Sequence, residues 1–309
     1  MKISLPIPLF LVKRSIRKFR DKAVWQNIQR SRAGFEKLSR RFAYTSKKCS
    51  YEMEAVNHCQ GEWIRPQGTA KDKVLLYFHG GGYAVGSVAT HRTMLTKLAL
   101  YSKLTSFSFE YRLAPEHPYP AAVEDAVMAY EWLIAKGFSS NKIAFGGDSA
   151  GGGLVLATLL FLRDKNKPLP ACAICLSPWT DLTLSGESFS DNKVEEPMLT
   201  KEAFPHWAKN YYDLQSPKNS YISPVFADCK GLPPLYIQVG SDEALLSDST
   251  RFYENAKTAG VRIELEIFKN YFHVFQSFWQ ALPKAKKALR KLGVFLNKEL
   301  ELQTCSIIK

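Results

Sequence analysis

No uninterrupted apolar run in the 309-residue sequence approaches the roughly 20 residues needed to span a bilayer, which argues against a helical integral membrane protein. Gly and Pro together number 34, too few for a collagen-like or low-complexity chain. The six cysteines show no framework spacing, so a disulfide-stapled miniprotein is excluded and a reducing compartment is expected. A chain of this length needs no staple, since folding buries roughly three quarters of its unfolded surface. Cys172 and Cys175 form a C-x-x-C, but inside an apolar run that reads as a strand. Residues three apart on a strand point to opposite faces, so the pair is expected as buried small side chains and not as metal ligands.

Acidic residues are scarce in one place. Residues 1–48 hold only Asp21 and Glu36 against 14 basic residues, a net charge of +12; the other 261 residues carry 28 basic and 27 acidic, a net of +1. Within the basic segment Trp25, Ile28, Phe35, Leu38 and Phe42 recur close to helical spacing, which predicts one or two amphipathic helices packed on the body. The stretch Ile3 to Val12 ahead of them is apolar but broken by Pro6 and Pro8. Its basic cluster follows it and no small-x-small cleavage site appears, so it reads as retained and not as a signal peptide. A cationic amphipathic segment suits either a solvated basic face or a peripheral membrane contact. No nucleic-acid motif accompanies the charge, so no nucleic-acid partner is expected. The expected location is the cytoplasm, with the inner face of the membrane open to the basic segment.

After residue 48 short apolar runs alternate with helical ones. Strands are predicted at Tyr51–Cys59, Glu62–Arg65, Val74–Phe78, Ser106–Tyr111, Lys142–Phe145, Ala171–Leu176, Leu235–Val239 and Arg262–Phe268. Helices are predicted at Arg92–Ser102, Ala121–Lys136, Ala150–Asp164, Ser247–Ala259 and Val274–Asn297. Two successive strands followed by strands separated by helices predict an α/β fold: an eight-stranded, mostly parallel sheet with an antiparallel start and helices on both faces. Leu184 to Tyr221 breaks the rhythm and carries helical aromatics, as an inserted cap would. The expected division is a basic helical cap segment at 1–48, a core at 49–183 and 222–309, and inserted cap helices at 184–221.

The chemistry concentrates in a few strings. The strand ending at Phe145 runs into Gly147-Asp148-Ser149-Ala150-Gly151 and then an apolar helix, which is G-x-S-x-G in the strand–turn–helix setting of a nucleophile elbow. His79-Gly80-Gly81-Gly82-Tyr83 follows the strand Val74–Phe78, and consecutive glycines bring bare N–H groups close to a substrate oxygen, as an oxyanion hole requires. A phosphate loop is the competitor, but no Gly-Lys-Ser/Thr accompanies these glycines. His79 is expected to hold its loop. A serine nucleophile needs a base and the base an orienting acid, in the chain order Ser, Asp or Glu, His. His273 is the only histidine after the candidate acids, so chain order selects it. Asp242, just past the strand Leu235–Val239, is the expected acid, with Glu243 and Asp248 as rivals. The earlier histidines, including His58 and His91, are expected at the surface or in packing.

These strings resemble the hormone-sensitive-lipase-like family of α/β-hydrolases, the bacterial esterases often called family IV. The resemblance rests on HGGGYAVGS at 79–87, YRLAPEHPYPAAVED at 111–125, GGDSAGGG at 146–153, LSPWTDLT at 176–183, GLPPLYIQVGSDE at 231–243 and the FHVF around His273. It covers about residues 50 to 297 and implies the α/β-hydrolase fold with a helical cap. It is similar in wording to short-chain esterases and monoterpene lactone hydrolases. The resemblance implies Ser149 as nucleophile, His273 as base and Asp242 as orienting acid, with the N–H groups of Gly81, Gly82 and Ala150 as oxyanion hole. It implies that Arg112 and Glu116 are scaffold, a short ion pair or loop clamp.

The expected activity is a cofactor-free serine hydrolase acting on short-to-medium acyl esters or lactones through an acyl-enzyme, with a neutral-to-alkaline optimum. Tyr83, Phe204, Trp207 and Tyr211 are expected to line or roof the pocket, core packing being the alternative for each. The other reading is a non-catalytic ligand-binding protein on the same scaffold; some relatives of that kind lack the histidine that His273 supplies here. Monomer and dimer both remain open.

Overall fold

A computed structural model describes residues 8–19, 27–191 and 196–305. Trp25 and the first residues of the Ile3–Val12 stretch lie outside them. Helices α1 (Leu9–Phe19) and α2 (Ile28–Arg41) precede a hairpin of β1 (Cys49–Val56) and β2 (Cys59–Pro66). Then β3 (Val74–Phe78), α3 (Val88–Ser102), β4 (Thr105–Phe109), α4 (Ala121–Ala135), β5 (Ile143–Asp148), α5 (Ala150–Asp164) and β6 (Cys172–Leu176) alternate. A short α6 (Glu187–Ser190) and α7 (Ala203–Tyr212) intervene before β7 (Leu235–Gly240), α8 (Leu246–Thr258), β8 (Ile263–Phe268) and α9 (Pro283–Cys305).

The eight strands form one sheet in the order β1-β2-β4-β3-β5-β6-β7-β8. The β1–β2 and β2–β4 pairs are antiparallel and the remaining pairs parallel, as the strand–helix alternation predicts. Every residue of β3, β4, β5, β6 and β7 is buried, because helices cover both faces. That is why β3 and β6 read as continuous apolar runs, while Ser106, Ser108 and Gln238 are buried polar exceptions in β4 and β7. One face packs against α4, α5, α7 and α8; the other packs against α1, α3 and α9. Cys175 belongs to the first core and Cys172 to the second, so the C-x-x-C splits across the sheet, and both thiols are free. Among the described residues no helix is long and apolar enough to cross a membrane.

The departures from the sequence reading have local causes. Asn57 and His58 make a two-residue turn between the paired Val56 and Cys59, so β1 stops before the predicted Cys59. Asn57 adopts φ 52°, a conformation that asparagine tolerates better than most residues. Helix α3 starts four residues earlier than predicted because Ser87 and Thr90 close a capping box. The last helix starts at Pro283 and not at Val274, since proline suits a first helical turn while Val274 sits at φ 45°.

Arg112 and Glu116 do not pair with each other. Arg112 Nε donates to both carboxylate oxygens of Asp125 at 3.0 Å, Nη2 donates to Asp125 Oδ1 at 2.8 Å, and the Arg112 backbone N–H adds a bond to Oδ2 at 2.8 Å. Glu116 instead receives a bidentate pair from Arg32 of α2, at 2.8 and 2.7 Å. The first contact clamps the loop after β4 to α4, and the second ties the N-terminal helices to that loop. Arg112→Ala would leave the Asp125 carboxylate, only 1% exposed, without its guanidinium, and is expected to cost about 3 kcal/mol of stability. Glu116→Gln acts on a pair open to water and is expected to cost less than about 1 kcal/mol. Urea unfolding of the two variants measures the difference.

Candidate active site

Ser149 sits between the end of β5 and the start of α5, at φ 53° and ψ −124°. The turn is tight on both sides. A Cβ on Gly147 would lie 2.4 Å from the Gly151 carbonyl oxygen, and one on Gly151 would lie 2.1 Å from the Phe78 carbonyl oxygen. Only glycine fits at those two positions, so the G-x-S-x-G spacing is a packing requirement. The elbow lifts the Ser149 hydroxyl to the carboxyl end of the sheet, where His273 meets it.

His273 lies in the loop after β8 and is buried. Its Nε2 is 2.9 Å from Ser149 Oγ, and its Nδ1 is 2.8 Å from an oxygen of Glu243. In the neutral ring Nδ1–H donates to Glu243 and Nε2 accepts the serine proton. Glu243 is wholly buried, and its other oxygen accepts from Ser177 Oγ at 2.8 Å and from the Gly240 N–H at 2.5 Å. Ser177 in turn accepts the Val274 N–H at 3.2 Å, which joins the acid to the histidine loop.

The acid expected against His273 was Asp242, and here the structure corrects the sequence reading. Asp242 turns the other way: its carboxylate pairs with Lys13 of α1 and accepts from Ser241 Oγ at 2.6 Å. Its backbone N–H is held by the Tyr271 carbonyl at 2.8 Å. Neighbouring residues of this turn project to opposite sides, so only one of the two carboxylates can face the imidazole. Asp248, the other rival, is buried and accepts the N–H groups of Thr180 and Asp181 at 2.7 and 2.8 Å. Burial and the nearby Asp181 push its carboxyl up to about 8.

Gly81 and Gly82 follow β3 and adopt φ 127° and 62°. The Gly81 carbonyl accepts the N–H groups of Ala84 and Val85 at 3.1 and 2.9 Å, which turns the loop over. Beneath it the Gly80 N–H donates to Asp148 Oδ1 at 3.1 Å, and Tyr77 Oη donates to the same oxygen at 2.8 Å. Asp148 precedes the nucleophile, so one carboxylate joins the elbow to the glycine loop. This fixes the glycine loop, with Gly81 and Gly82, to the elbow that carries Ser149 and Ala150.

His91, expected at the surface or in packing, is a buried partner of Asp148, with Nε2 3.2 Å from Oδ2. Burial opposes its charge, but Asp148 outweighs that and raises its pKa above the usual value. His79 holds its loop as expected. Its ring stacks on Tyr111 at 4.3 Å, and burial, helped by His91, lowers its pKa to about 3, so it stays neutral.

The four expected pocket aromatics form one cluster with different exposures. Tyr83 and Tyr211 are buried and stack at 3.7 Å, and buried Phe204 meets Trp179 edge-on at 5.4 Å. Those three are interior packing. Trp207 lies on the glycine loop, where a Cβ on Gly82 would come within 2.8 Å of its ring.

The sequence reading overlooked Glu196, a buried carboxyl whose Oε1 accepts the Met198 N–H at 2.8 Å. Burial first, and then Glu243, raise its pKa to about 7. For His273, burial favours the neutral ring, but the hydrogen bond and charge of Glu243, with Glu196 adding to them, raise its pKa above the usual value. No motif marks Glu196, so no sequence signal could have found it.

Among the described residues His58, Cys59 and Asp125 come close enough to share a cation. Asp125 is already occupied by Arg112, whose positive charge repels a metal, and burial pushes the Cys59 thiol up to about 12. The cluster is therefore a poor metal site.

Chemically, a serine hydroxyl hydrogen-bonded to a buried, acid-oriented imidazole can attack a carbonyl carbon. Comparisons with known proteins agree in kind. A family model described as the alpha/beta hydrolase fold matches residues 75–277. An acetyl-hydrolase of Streptomyces hygroscopicus is 40% identical over 246 residues, covering 80% of this chain and 82% of that protein. An esterase of Acinetobacter venetianus is 38% identical, over 76% of this chain and 78% of its own length. The crystal structure of an esterase from the bacterial hormone-sensitive lipase family superposes with a TM-score of 0.89 at 41% identity, covering 94% of this chain and 98% of that one.

The geometry separates the two adjacent acids by experiment. Glu243→Gln is expected to lower kcat/KM on a p-nitrophenyl ester by about 10³–10⁴-fold, as loss of a buried orienting acid does. Asp242→Asn is expected to change it by less than about threefold. Equal losses in both, measured on folded protein, would refute the assignment of Glu243.

Proposed function

The chain belongs to the alpha/beta hydrolase fold family whose model spans residues 75–277, and from that premise we propose a serine esterase working through Ser149, His273 and Glu243. With an acetyl-hydrolase and esterases among its relatives, it is a carboxylic-ester hydrolase. The observation that carries the mechanism is the hydrogen-bonded chain from Ser149 Oγ to His273 at 2.9 Å and on to Glu243 at 2.8 Å.

His273 takes the Ser149 proton as the hydroxyl attacks the ester carbonyl. The N–H groups of Gly81, Gly82 and Ala150 hold the tetrahedral oxyanion, and loss of one such donor typically costs about 3 kcal/mol. The alcohol departs with the proton from His273, which leaves an acyl-enzyme. Water then repeats the sequence and frees the acid. Glu243 keeps the ring in the tautomer that accepts at Nε2 and stabilises the imidazolium that forms.

The acyl group is placed beside Trp207, whose ring lies against Gly82 of the glycine loop, and short acyl esters are the expected substrates, in line with the acetyl-hydrolase relative. Lactones of similar size fit the same chemistry. Residues 184–221, together with the N-terminal segment 1–48, act as the cap over this pocket. We further infer a peripheral membrane contact through the basic segment, from its net +12 against +1 for the remainder.

Hydrolysis of p-nitrophenyl esters from two to sixteen carbons is expected to peak at short chains and to fall at least about 10³-fold in Ser149→Ala. Turnover that survives in the variant would sink the serine mechanism. Only the neutral imidazole can accept the serine proton, and the His273 pKa lies above its usual 6.5. Activity must therefore be lost as pH falls through that raised value, and kcat/KM is expected to reach its plateau only on the alkaline side. A pH–rate profile with its maximum below about pH 5 would overturn that assignment.

A further inference from the structure

Helix α1 has two working sides. Its inner side packs Leu9, Val12 and Ile16 on the core beside α3 and α9, and Lys13 closes the ion pair with Asp242. Its outer side presents Phe10, 66% exposed, and Leu11, 40% exposed, next to the exposed Arg14. Helix α2 repeats the arrangement. Arg32 reaches inward to Glu116 and to the Ala84 carbonyl of the glycine loop, while Leu38 at 40% exposure and Phe42 at 56% stand outside among Lys37 and Arg41. Four of the ten exposed large apolar side chains among the described residues belong to these two short stretches.

An exposed phenylalanine between arginines and lysines does little in water. At an anionic interface both groups are served at once: the rings and leucines enter the acyl boundary and the cations meet the headgroups. A purely electrostatic partner such as nucleic acid would use the cations and leave the apolar side chains in water. We propose that the outer faces of α1 and α2 dock the protein on an anionic lipid surface. The inference rests on the membrane contact inferred above and deepens it with a lipid class, a face and a position. The inner contacts supply the position. Helix α1 is pinned to Asp242, next to Glu243, and α2 to the carbonyl of Ala84, next to the oxyanion loop. A surface bound to these faces therefore lies close to the site and can deliver esters that partition into it.

The test is co-sedimentation of the full-length protein with phosphatidylcholine vesicles and with vesicles in which part of that lipid is replaced by phosphatidylglycerol. At least about tenfold more protein is expected on the anionic vesicles, with the excess falling as salt rises. Phe10→Ser combined with Leu11→Ser is expected to reduce that binding about tenfold, while the far-UV circular dichroism and melting temperature stay those of the parent and report an intact fold. Equal sedimentation on both vesicle types, or full retention by the double variant, overturns the proposal. Protein that sediments with anionic vesicles but fails to hydrolyse p-nitrophenyl acetate would sink the esterase reading and leave the docking face standing.

Discussion

The first turn of α5 lies backbone against backbone on the structures around it, and the site depends on that closeness. A side chain at Gly151 would meet the carbonyl at the end of β3, and one at Gly153 would lie 2.2 Å from the Trp179 carbonyl oxygen. With no side chains in the way, the helix start, the ends of β3 and β5 and the loop after β6 share one small volume. Ser149 is then forced into its strained turn, with the glycine loop on one side and the histidine loop within reach. The strain is held in place by bonds on both sides: the Ser149 N–H donates to the Leu176 carbonyl at 2.8 Å, and its own carbonyl accepts from Trp179 at 2.9 Å.

Around that turn sit several buried carboxyl groups, and their partners give them different work. Asp148 is held below its usual pKa: burial opposes its charge, but His91 outweighs that, and the carboxylate serves as a prop for the glycine loop. Asp248 stitches backbone amides of the segment after β6 to α8. Glu243 has an imidazole on one oxygen and two donors on the other, which fixes the ring that faces Ser149. Buried carboxyl groups are costly unless hydrogen-bonded, and each of the three accepts at least two hydrogen bonds.

The N-terminal helices join the same system from outside. Lys13 and Arg32 reach the acid turn and the glycine loop, the two segments that chemistry requires to stay still. Their charge stands apart from the nearly neutral remainder, yet their inner contacts are as specific as any in the core.

The eight strands were legible from their spacing between helical stretches, and β3 and β6 most plainly, because burial on both faces made them apolar throughout. The turn at Ser149 was legible because it admits glycine alone on either side, and His273 was singled out because chain order left no other histidine; the two side chains lie 2.9 Å apart. Boundaries were less legible where a cap or turn residue decided them, as at Ser87, Asn57 and Pro283. Two assignments needed the folded chain. Asp242 and Glu243 are adjacent carboxylates with the same chemistry, and Arg112 has three acidic residues within reach in sequence, Glu116, Glu124 and Asp125. Composition and spacing cannot separate such candidates, because the direction of a side chain at a turn is set by what the rest of the molecule packs against it.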